Sequence, residues 1–165
     1  MATLIEQLAE NLGEQLKKKG WRLVTAESCT GGGLSYAITD IAGASQWFDR
    51  GFITYSNIAK EELLGVKTET LKTFGSVSEE TAREMAEGAL YHNHSQAHIS
   101  IAITGIAGPD GGSAEKPVGT VWIACAGKSL PTMASHYIFS GNRKEVRQQA
   151  IEIALKMLQD QLGKT

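Results

Sequence analysis

The sequence is poor in cysteine and proline and has no long apolar run, and each shortage excludes a class of protein. It contains two cysteines and three prolines in 165 residues. Two cysteines do not make the disulfide framework of a small secreted domain. No apolar stretch approaches the roughly 20 residues of a membrane-spanning helix, and the N-terminal segment lacks the basic-then-apolar order of a secretory signal. We therefore expect a cytoplasmic protein with reduced thiols and no membrane partner.

Positive charge is also not in excess. The formal net charge is -2 and the pI is about 6.1. A general nucleic-acid-binding protein would show a basic surplus, so we expect no nucleic-acid partner. Hydrophobic residues make up 42% and charged residues 21% of the chain, which is typical of a globular protein. The length is enough for one domain with its own core, and we expect residues 1–165 to form a single domain.

Helix signals recur along the chain. Apolar residues at spacings of three and four predict a first helix from Leu4 that ends at Gly20, after three lysines. The segment "NIAKEELLG" predicts a short helix, and "SVSEETAREMAEGAL" predicts another with Ser78 as its N-cap. Residues 143–162 predict a final amphipathic helix that Asn142 caps, with Glu145 completing a capping box.

Strand signals alternate with these helices early and follow one another late. The segments "WRLVTA" and "GFITYS" (Gly51–Ser56) predict two strands, and "AHISIAITG" predicts a buried third. The segments "GTVWIACAG" and "ASHYIFSG" predict two more, joined by a short link. Early alternation favours parallel strands with crossover helices, and the short late link favours an antiparallel hairpin. The fold class is thus predicted as α/β, with a mixed sheet covered by helices on both faces.

The segment "TAESCTGGG", Thr25–Gly33, is the first candidate for chemistry. Glycines between a strand and a helix allow close backbone approach to a ligand, and the free N–H groups there attract anions. The P-loop and dinucleotide-binding patterns are both absent. Ser28, at a strand-to-helix turn, is a candidate nucleophile, and Cys29 is its rival because a helix N-terminus would favour a thiolate. Composition does not choose between them.

A serine nucleophile needs a base, and no histidine is well placed to serve. His92, His94 and His98 share the polar segment "YHNHSQAH", where we expect surface residues without the acidic partners of a metal site. Lys60 is the alternative, because desolvation can bring a lysine pKa towards neutrality. Spacing alone favours an ordinary exposed helix lysine over a catalytic one.

Three further features surround this candidate base in the predicted fold. Asn57 lies three residues before Lys60 at the start of the same helix, and Tyr55 precedes both. Gly105 to Gly119 form a long irregular segment that predicts a ligand-binding loop or lid, with Lys116 as its cation. Arg143 begins the last helix, where a cation opposes the helix dipole but suits a phosphate or carboxylate ligand.

Several of these motifs together resemble the CinA C-terminal domain family, from about Leu4 to about Leu158. The segments that carry the resemblance are "TAESCTGG", "GFITYSNIAK", "GSVSEETA", "TGIAGPDGGSAEKPVGTVW" and "FSGNRKEVR". The resemblance implies a three-layer α/β/α fold, no metal or cofactor, no fused N-terminal domain, and a homodimer or larger homo-oligomer. Stand-alone members hydrolyse the carboxamide of nicotinamide mononucleotide to nicotinic acid mononucleotide and ammonia, so a small nucleotide is the implied partner.

The same resemblance assigns roles to individual residues. It implies a catalytic pair of Ser28 and Lys60, with Tyr55 orienting the lysine or relaying its proton. We expect an oxyanion and substrate-binding set around this pair, comprising Thr30, Gly31, Gly32, Thr104, Gly105, Arg143 and Asn57. Two alternatives stay open, namely a catalytically inactive nucleotide-binding paralogue and an amidase or esterase with another substrate.

Overall fold

A computed structural model describes all 165 residues as five strands and six α-helices. Short connections join most of them, and one 3-10 turn precedes the second strand. The elements in chain order are α1 (Leu4–Lys19), β1 (Leu23–Glu27), α2 (Gly33–Thr39), β2 (Phe48–Ile53), α3 (Asn57–Leu64), α4 (Thr68–Phe74), α5 (Glu79–Tyr91), β3 (Ile99–Gly105), β4 (Thr120–Gly127), β5 (Leu130–Ile138) and α6 (Arg143–Leu162). None of these helices has the length and apolarity needed to cross a membrane.

The strands form one mixed sheet in the order β2-β1-β3-β4-β5. Strand β1 runs parallel to both of its neighbours, β2 and β3, while β4 runs antiparallel to β3 and β5. This confirms the predicted topology. Glu27 at the end of β1 pairs in register with Ile53 of β2 and Ile103 of β3. Consequently the carboxyl ends of all three parallel strands meet at one edge of the sheet.

Helices cover both faces of this sheet, which confirms the three-layer α/β/α fold. Alternate strand residues point to opposite faces, so Leu23 and Ile101 join the larger core while Val24 and Ala102 join the smaller. The larger core lies under α1, α2 and α6. The smaller core lies under α3 and α5 and is built largely from alanine, which lets those helices approach the sheet closely.

Local capping explains where several helices begin and end. Gly20 closes α1 in the left-handed region with φ 68°. The Ser78 hydroxyl accepts a hydrogen bond from the Thr81 N–H at 3.1 Å, and Asn142 forms a capping box with Glu145. The predictions for Gly20, Ser78 and Asn142 are therefore confirmed.

The second strand lies earlier in the chain than predicted. The predicted strand Gly51–Ser56 is observed as Phe48–Ile53, because the Ser56 hydroxyl caps α3 by accepting the Ala59 N–H at 3.1 Å. Thr54 and Tyr55 therefore lie in a turn between strand and helix. The helix α4 was also not predicted, because its seven residues carry too few apolar positions to show a helical stripe.

Gly88 allows α5 to pack directly against the end of α3. A Cβ atom at Gly88 would lie 1.8 Å from the Leu64 carbonyl oxygen. We expect Gly88→Ala to lower the free energy of unfolding by roughly 1–3 kcal/mol or more, because backbone must move. The matched control is Gly163→Ala, where φ is -65° and the nearest atom would be 3.4 Å away. Urea denaturation of both variants checks this, and equal stabilities would contradict it.

Candidate active site

A cleft of about 250 Å³ opens at the edge where the three parallel strands end. Its walls come from the segments that follow β1 and β2, from the end of β3 and the residues after it, from residues 76 and 77 before α5, and from the start of α6. It brings together six of the predicted site residues, namely Ser28, Tyr55, Lys60, Thr104, Gly105 and Arg143. The predicted convergence of distant segments is thus explained by strand register.

Ser28 and Lys60 form a hydrogen-bonded pair within this cleft. The Lys60 Nζ lies 2.9 Å from the Ser28 Oγ, across 32 residues of sequence. The two side chains are 7% and 1% exposed, respectively. Lys60 is thus a buried lysine and not the exposed helix residue that spacing alone would allow. Both residues are candidates for catalysis from the sequence, but only the fold places them in contact.

Two main-chain carbonyls hold the lysine side chain in place. The Lys60 Nζ donates hydrogen bonds to the carbonyl oxygens of Thr54 at 2.9 Å and Tyr55 at 3.1 Å. Both carbonyls belong to the turn before α3. Side chains in a helix lean towards its N-terminus, so Lys60 in the first turn reaches back to that segment. The turn and the helix start therefore fix the position of the amine.

Burial changes the acidity of this amine. Desolvation lowers the pKa of Lys60 from 10.5 to about 8, and only the nearby Cys29 opposes that shift. No carboxylate forms an ion pair with the Lys60 Nζ. With a pKa near 8, roughly a tenth of the amine is neutral at pH 7, whereas an ordinary lysine is almost wholly charged. The site thus supplies a base near physiological pH.

Cys29 has a different environment from its neighbour. It is buried with α6 side chains in the larger core, and burial raises the pKa of its thiol to about 11. The lowered pKa expected for a thiolate at a helix N-terminus is therefore absent. Ser28 is the residue of the two whose side chain contacts the base.

The buried Glu27 carboxylate shapes the loop that carries Ser28. Its Oε1 accepts the Thr30 hydroxyl at 2.6 Å and the Leu34 N–H at 2.9 Å. Its Oε2 accepts the Ser35 N–H at 2.9 Å and the Ser35 hydroxyl at 2.7 Å. Glu27 thereby caps α2, whose N-cap position is the glycine Gly32 and supplies no side-chain bond. Sequence reasoning missed this role.

The structure does not bring Thr30, Gly31 and Gly32 to the cleft. The Gly31 N–H donates to the Ser28 carbonyl at 3.0 Å, and the Thr30 hydroxyl is taken by Glu27. Gly31 and Gly32 have φ values of 59° and 98°, so these glycines serve the turn itself. None of the three lines the cleft. Their position outside the cleft therefore does not support the oxyanion role that was predicted for their N–H groups.

Tyr55 and Asn57 also differ from expectation. Tyr55 contacts the lysine through its main-chain carbonyl, while its phenol accepts a hydrogen bond from Arg143 Nη2 at 3.3 Å. The phenol makes no hydrogen bond to Lys60 that would relay a proton. Asn57 is an exposed residue at the start of α3 and does not line the cleft. Its predicted substrate contact is therefore not supported by its position.

Of the remaining predicted residues, Thr104 and Gly105 border the cleft beside β3, and Lys116 does not. Thr104 is buried and its hydroxyl donates to the Ser76 carbonyl at 2.6 Å. Gly105 ends β3, where a Cβ atom would lie 2.7 Å from the Val121 side chain. Lys116 lies outside the cleft, with its Nζ donating to the Phe74 carbonyl at 2.6 Å.

Two arginines of α6 secure the loops around the pair. Arg143 Nη1 donates to the Gly108 carbonyl at 2.8 Å. Arg147 Nε donates to the Cys29 carbonyl at 3.0 Å, and its Nη2 donates to the Thr30 carbonyl at 3.2 Å. Sequence reasoning missed Arg147, although its position four residues after Arg143 places both on one helix face. It also missed Ser76, which lines the cleft, whereas Asp110 lines the cleft as part of the predicted ligand-binding loop. No group of three or more potential ligands could hold a metal ion.

The fold and the site define a three-layer α/β protein with a serine–lysine pair in a cleft at the carboxyl edge of its parallel strands. The CinA C-terminal domain family matches residues 5–162. The chain therefore belongs to this family, as its motifs indicated.

The most informative relatives cover nearly the whole chain. The nicotinamide-nucleotide amidohydrolase PncC of Enterobacter agglomerans is 53% identical over 152 residues, covering 92% of each chain. The protein of that name from Escherichia coli K12 is 52% identical over 155 residues, covering 94% of this chain and 93% of the relative. The crystal structure of the competence/damage inducible protein CihA from Agrobacterium tumefaciens superimposes with a TM-score of 0.94 at 46% identity, covering 99% and 98% of the two chains.

The Glu27 network generates a prediction about stability. Glu27→Ala removes a buried carboxylate that accepts four hydrogen bonds. Because the donors around it lose their partner, we expect the free energy of unfolding to fall by roughly 2–4 kcal/mol. The control is Glu115→Ala, which removes an exposed carboxylate. Thermal unfolding of both variants checks the prediction, and an unchanged melting temperature for Glu27→Ala would contradict it.

Proposed function

We propose that this chain is a nicotinamide-nucleotide amidohydrolase that converts nicotinamide mononucleotide to nicotinic acid mononucleotide and ammonia. The observation that carries the proposal is the 2.9 Å contact between Ser28 Oγ and the buried Lys60 Nζ. A serine beside a lysine of lowered pKa is an arrangement suited to nucleophilic attack on an amide. The names of the relatives at 52–53% identity supply the substrate.

The geometry around Lys60 suits both protonation states that a base must adopt. A neutral amine has two hydrogens and one lone pair. When its hydrogens bind the Thr54 and Tyr55 carbonyls, the lone pair remains to accept the Ser28 hydroxyl proton. A protonated amine has three hydrogens, and the same three oxygens accept them. The amine can therefore gain and lose a proton without leaving a buried group unpaired.

The first half of the reaction forms an ester on Ser28. The Ser28 Oγ attacks the carboxamide carbon while Lys60 takes its proton, and the carbonyl electron pair moves to oxygen. The resulting tetrahedral intermediate collapses, the carbon–nitrogen bond breaks, and protonated Lys60 gives its proton to the departing ammonia. Each proton transfer of this kind contributes roughly 100- to 10,000-fold to the rate.

The second half of the reaction hydrolyses that ester. Water attacks the acyl carbon as neutral Lys60 takes its proton. Collapse of the second tetrahedral intermediate expels the Ser28 alkoxide, which recovers the proton from Lys60. The products are a carboxylic acid and ammonia, and the acid then gives its proton to ammonia in solution, so one water is consumed for each amide. The chemistry uses no metal or cofactor.

Arg143 provides a place for the phosphate of the nucleotide. Its exposed guanidinium lines the cleft, and its bonds to Gly108 and Tyr55 use only part of its five N–H donors. The unused donors suit a phosphate at the rim, while the carboxamide lies at Ser28. Thr104 and Gly105 line the same cleft. We also propose that the chain assembles into a homodimer or a larger homo-oligomer.

The direct test incubates the purified protein with nicotinamide mononucleotide and measures ammonia and nicotinic acid mononucleotide. The wild type should form both products in equal amounts. Ser28→Ala should be inactive, Lys60→Met should lose at least roughly 100-fold, and Cys29→Ala should remain active because the thiol takes no part.

Other outcomes would redirect the assignment. Binding of the nucleotide without ammonia release indicates an inactive paralogue. Hydrolysis of other amides but not this one indicates a different amidase. Loss of activity in Cys29→Ala with an active Ser28→Ala would reverse the choice of nucleophile.

A pH prediction follows from the pKa of Lys60. The base must be neutral, so kcat/KM should rise about tenfold per pH unit at low pH and level off above a pKa of about 8. A kcat/KM that is constant from about pH 6 to about pH 9, or that decreases over this range, would contradict the role of Lys60.

The same pKa shift provides a control for folding. Because the pKa of Lys60 in the folded protein is lowered from 10.5 to about 8, the unfolded chain binds this proton more tightly. The destabilisation by Lys60 is therefore largest below the folded pKa and disappears as pH rises through the unfolded one. Lys60→Met removes this buried charge but also leaves the Thr54 and Tyr55 carbonyls without their donor, so it should melt close to the wild type at pH 7. A folded but inactive variant shows that the loss of activity is not unfolding.

A further inference from the structure

Two consecutive main-chain N–H groups in the cleft have no hydrogen-bond partner. They belong to Ala107 and Gly108, which follow β3 and line the cleft with Ser28. Both residues are buried, and Ala107 is only 5% exposed. More than nine in ten buried main-chain N–H groups are paired in native proteins, so adjacent exceptions need an explanation. The N–H groups of Cys29 and Thr30 are also without a partner, but only Cys29 of those two lines the cleft, so Ala107 and Gly108 are the pair that faces it together.

The sheet pairing around these residues shows where the exception begins. Ile106 is still paired on both sides, with its N–H donating to the Thr120 carbonyl at 2.8 Å and its carbonyl accepting the Gly119 N–H at 2.8 Å. Pairing stops at the next residue, although the chain remains buried. The unpaired donors therefore begin where the strand leaves the sheet beside the catalytic serine.

The loop holds these donors in a fixed arrangement. Gly108 has a φ of 86°, whereas Ala107 is not among the residues with positive φ. Successive residues with φ of opposite sign can direct their N–H groups to one concave side, a geometry that binds anions. A Cβ atom at Gly108 would lie 2.4 Å from the Val118 side chain, and Arg143 holds the Gly108 carbonyl at 2.8 Å. Little reorganisation is needed when charge develops.

The nucleophile is tied to the same strand. The Ser28 N–H donates to the Ile103 carbonyl at 3.0 Å, so the loop that carries the serine is joined to the end of β3. Residues 107 and 108 continue from that end within one small cleft. An acyl group on Ser28 would thus have its carbonyl oxygen beside donors that nothing else uses.

We propose that the N–H groups of Ala107 and Gly108 form the oxyanion-binding site for the tetrahedral intermediates. The inference rests on the proposed function, because it concerns the same reaction at Ser28. It replaces the residues 30–32 that the sequence suggested for this role. The phosphate is the other anion in the substrate, but the exposed Arg143 at the rim suits it better than buried neutral donors beside the serine.

The test removes one donor without removing any existing hydrogen bond. Ala107→Pro deletes the unpaired N–H, and the extended pairing of Ile106 is compatible with a following proline. We expect kcat for nicotinamide mononucleotide to fall roughly 100- to 1,000-fold while KM changes only a few-fold. A rise in KM at unchanged kcat would instead assign these donors to the phosphate and overturn the proposal.

The matched control is Ala114→Pro. Its N–H is also without a partner, but Ala114 is exposed and lies outside the cleft in the same loop. Ala114 lies between Ser113, whose N–H donates to the Lys116 carbonyl at 2.9 Å, and Lys116, so a proline at 114 removes none of the hydrogen bonds of this segment. This variant should keep the wild-type kcat and KM. Equal activity of Ala107→Pro and Ala114→Pro would overturn the proposal.

Two additions keep the result decisive. If Ala107→Pro melts lower than the wild type, an ester bond in place of the 106–107 amide deletes the same hydrogen with the side chain kept, and unchanged kcat in that protein contradicts the site. If the wild type does not hydrolyse nicotinamide mononucleotide, the proposed function fails separately. Acylation of Ser28 by p-nitrophenyl acetate then tests the site, and an equal burst rate in wild type and Ala107→Pro would contradict it.

Discussion

The site depends on burying one lysine amine without an acidic partner. Two main-chain carbonyls and one hydroxyl surround the Lys60 Nζ at 2.9–3.1 Å, and burial lowers its pKa to about 8. A carboxylate in their place would hold the amine charged and unable to accept a proton. Neutral oxygens satisfy its hydrogens while leaving the amine basic. Below pH 8 the buried charged amine lowers the free energy of unfolding, and the packing of the rest of the fold offsets this loss.

Sheet register is what makes the arrangement reproducible. Because β1 pairs in parallel with β2 and β3, Ser28, Thr54 and Thr104 emerge side by side from three strands. Glu27 then shapes the loop after β1, and the two arginines of α6 donate hydrogen bonds to the loops that follow β1 and β3. The reactive groups therefore lie on ordered elements, which is the condition for preorganised catalysis.

Much of the fold was predictable, because local signals and topology agree. The caps at Ser78 and Asn142 and the change from parallel to antiparallel strands follow from short-range patterns. The site was predictable only in part. The choice between adjacent Ser28 and Cys29 depends on which side chain faces Lys60, and Glu27 acts on residues seven and eight positions later. Consecutive glycines signalled anion binding, but here they serve a turn, since positive φ and close ligand approach favour the same residue.

The central claim is that the substrate becomes covalently attached to Ser28 before ammonia and product are both free. Rapid-quench mass spectrometry of the wild type mixed with nicotinamide mononucleotide tests it most directly. The account predicts a transient adduct equal to the substrate less ammonia, located on Ser28 by fragmentation and carried as an oxygen ester. An adduct on the Cys29 thiol, or ammonia released in a single turnover with no adduct at any time, would contradict it.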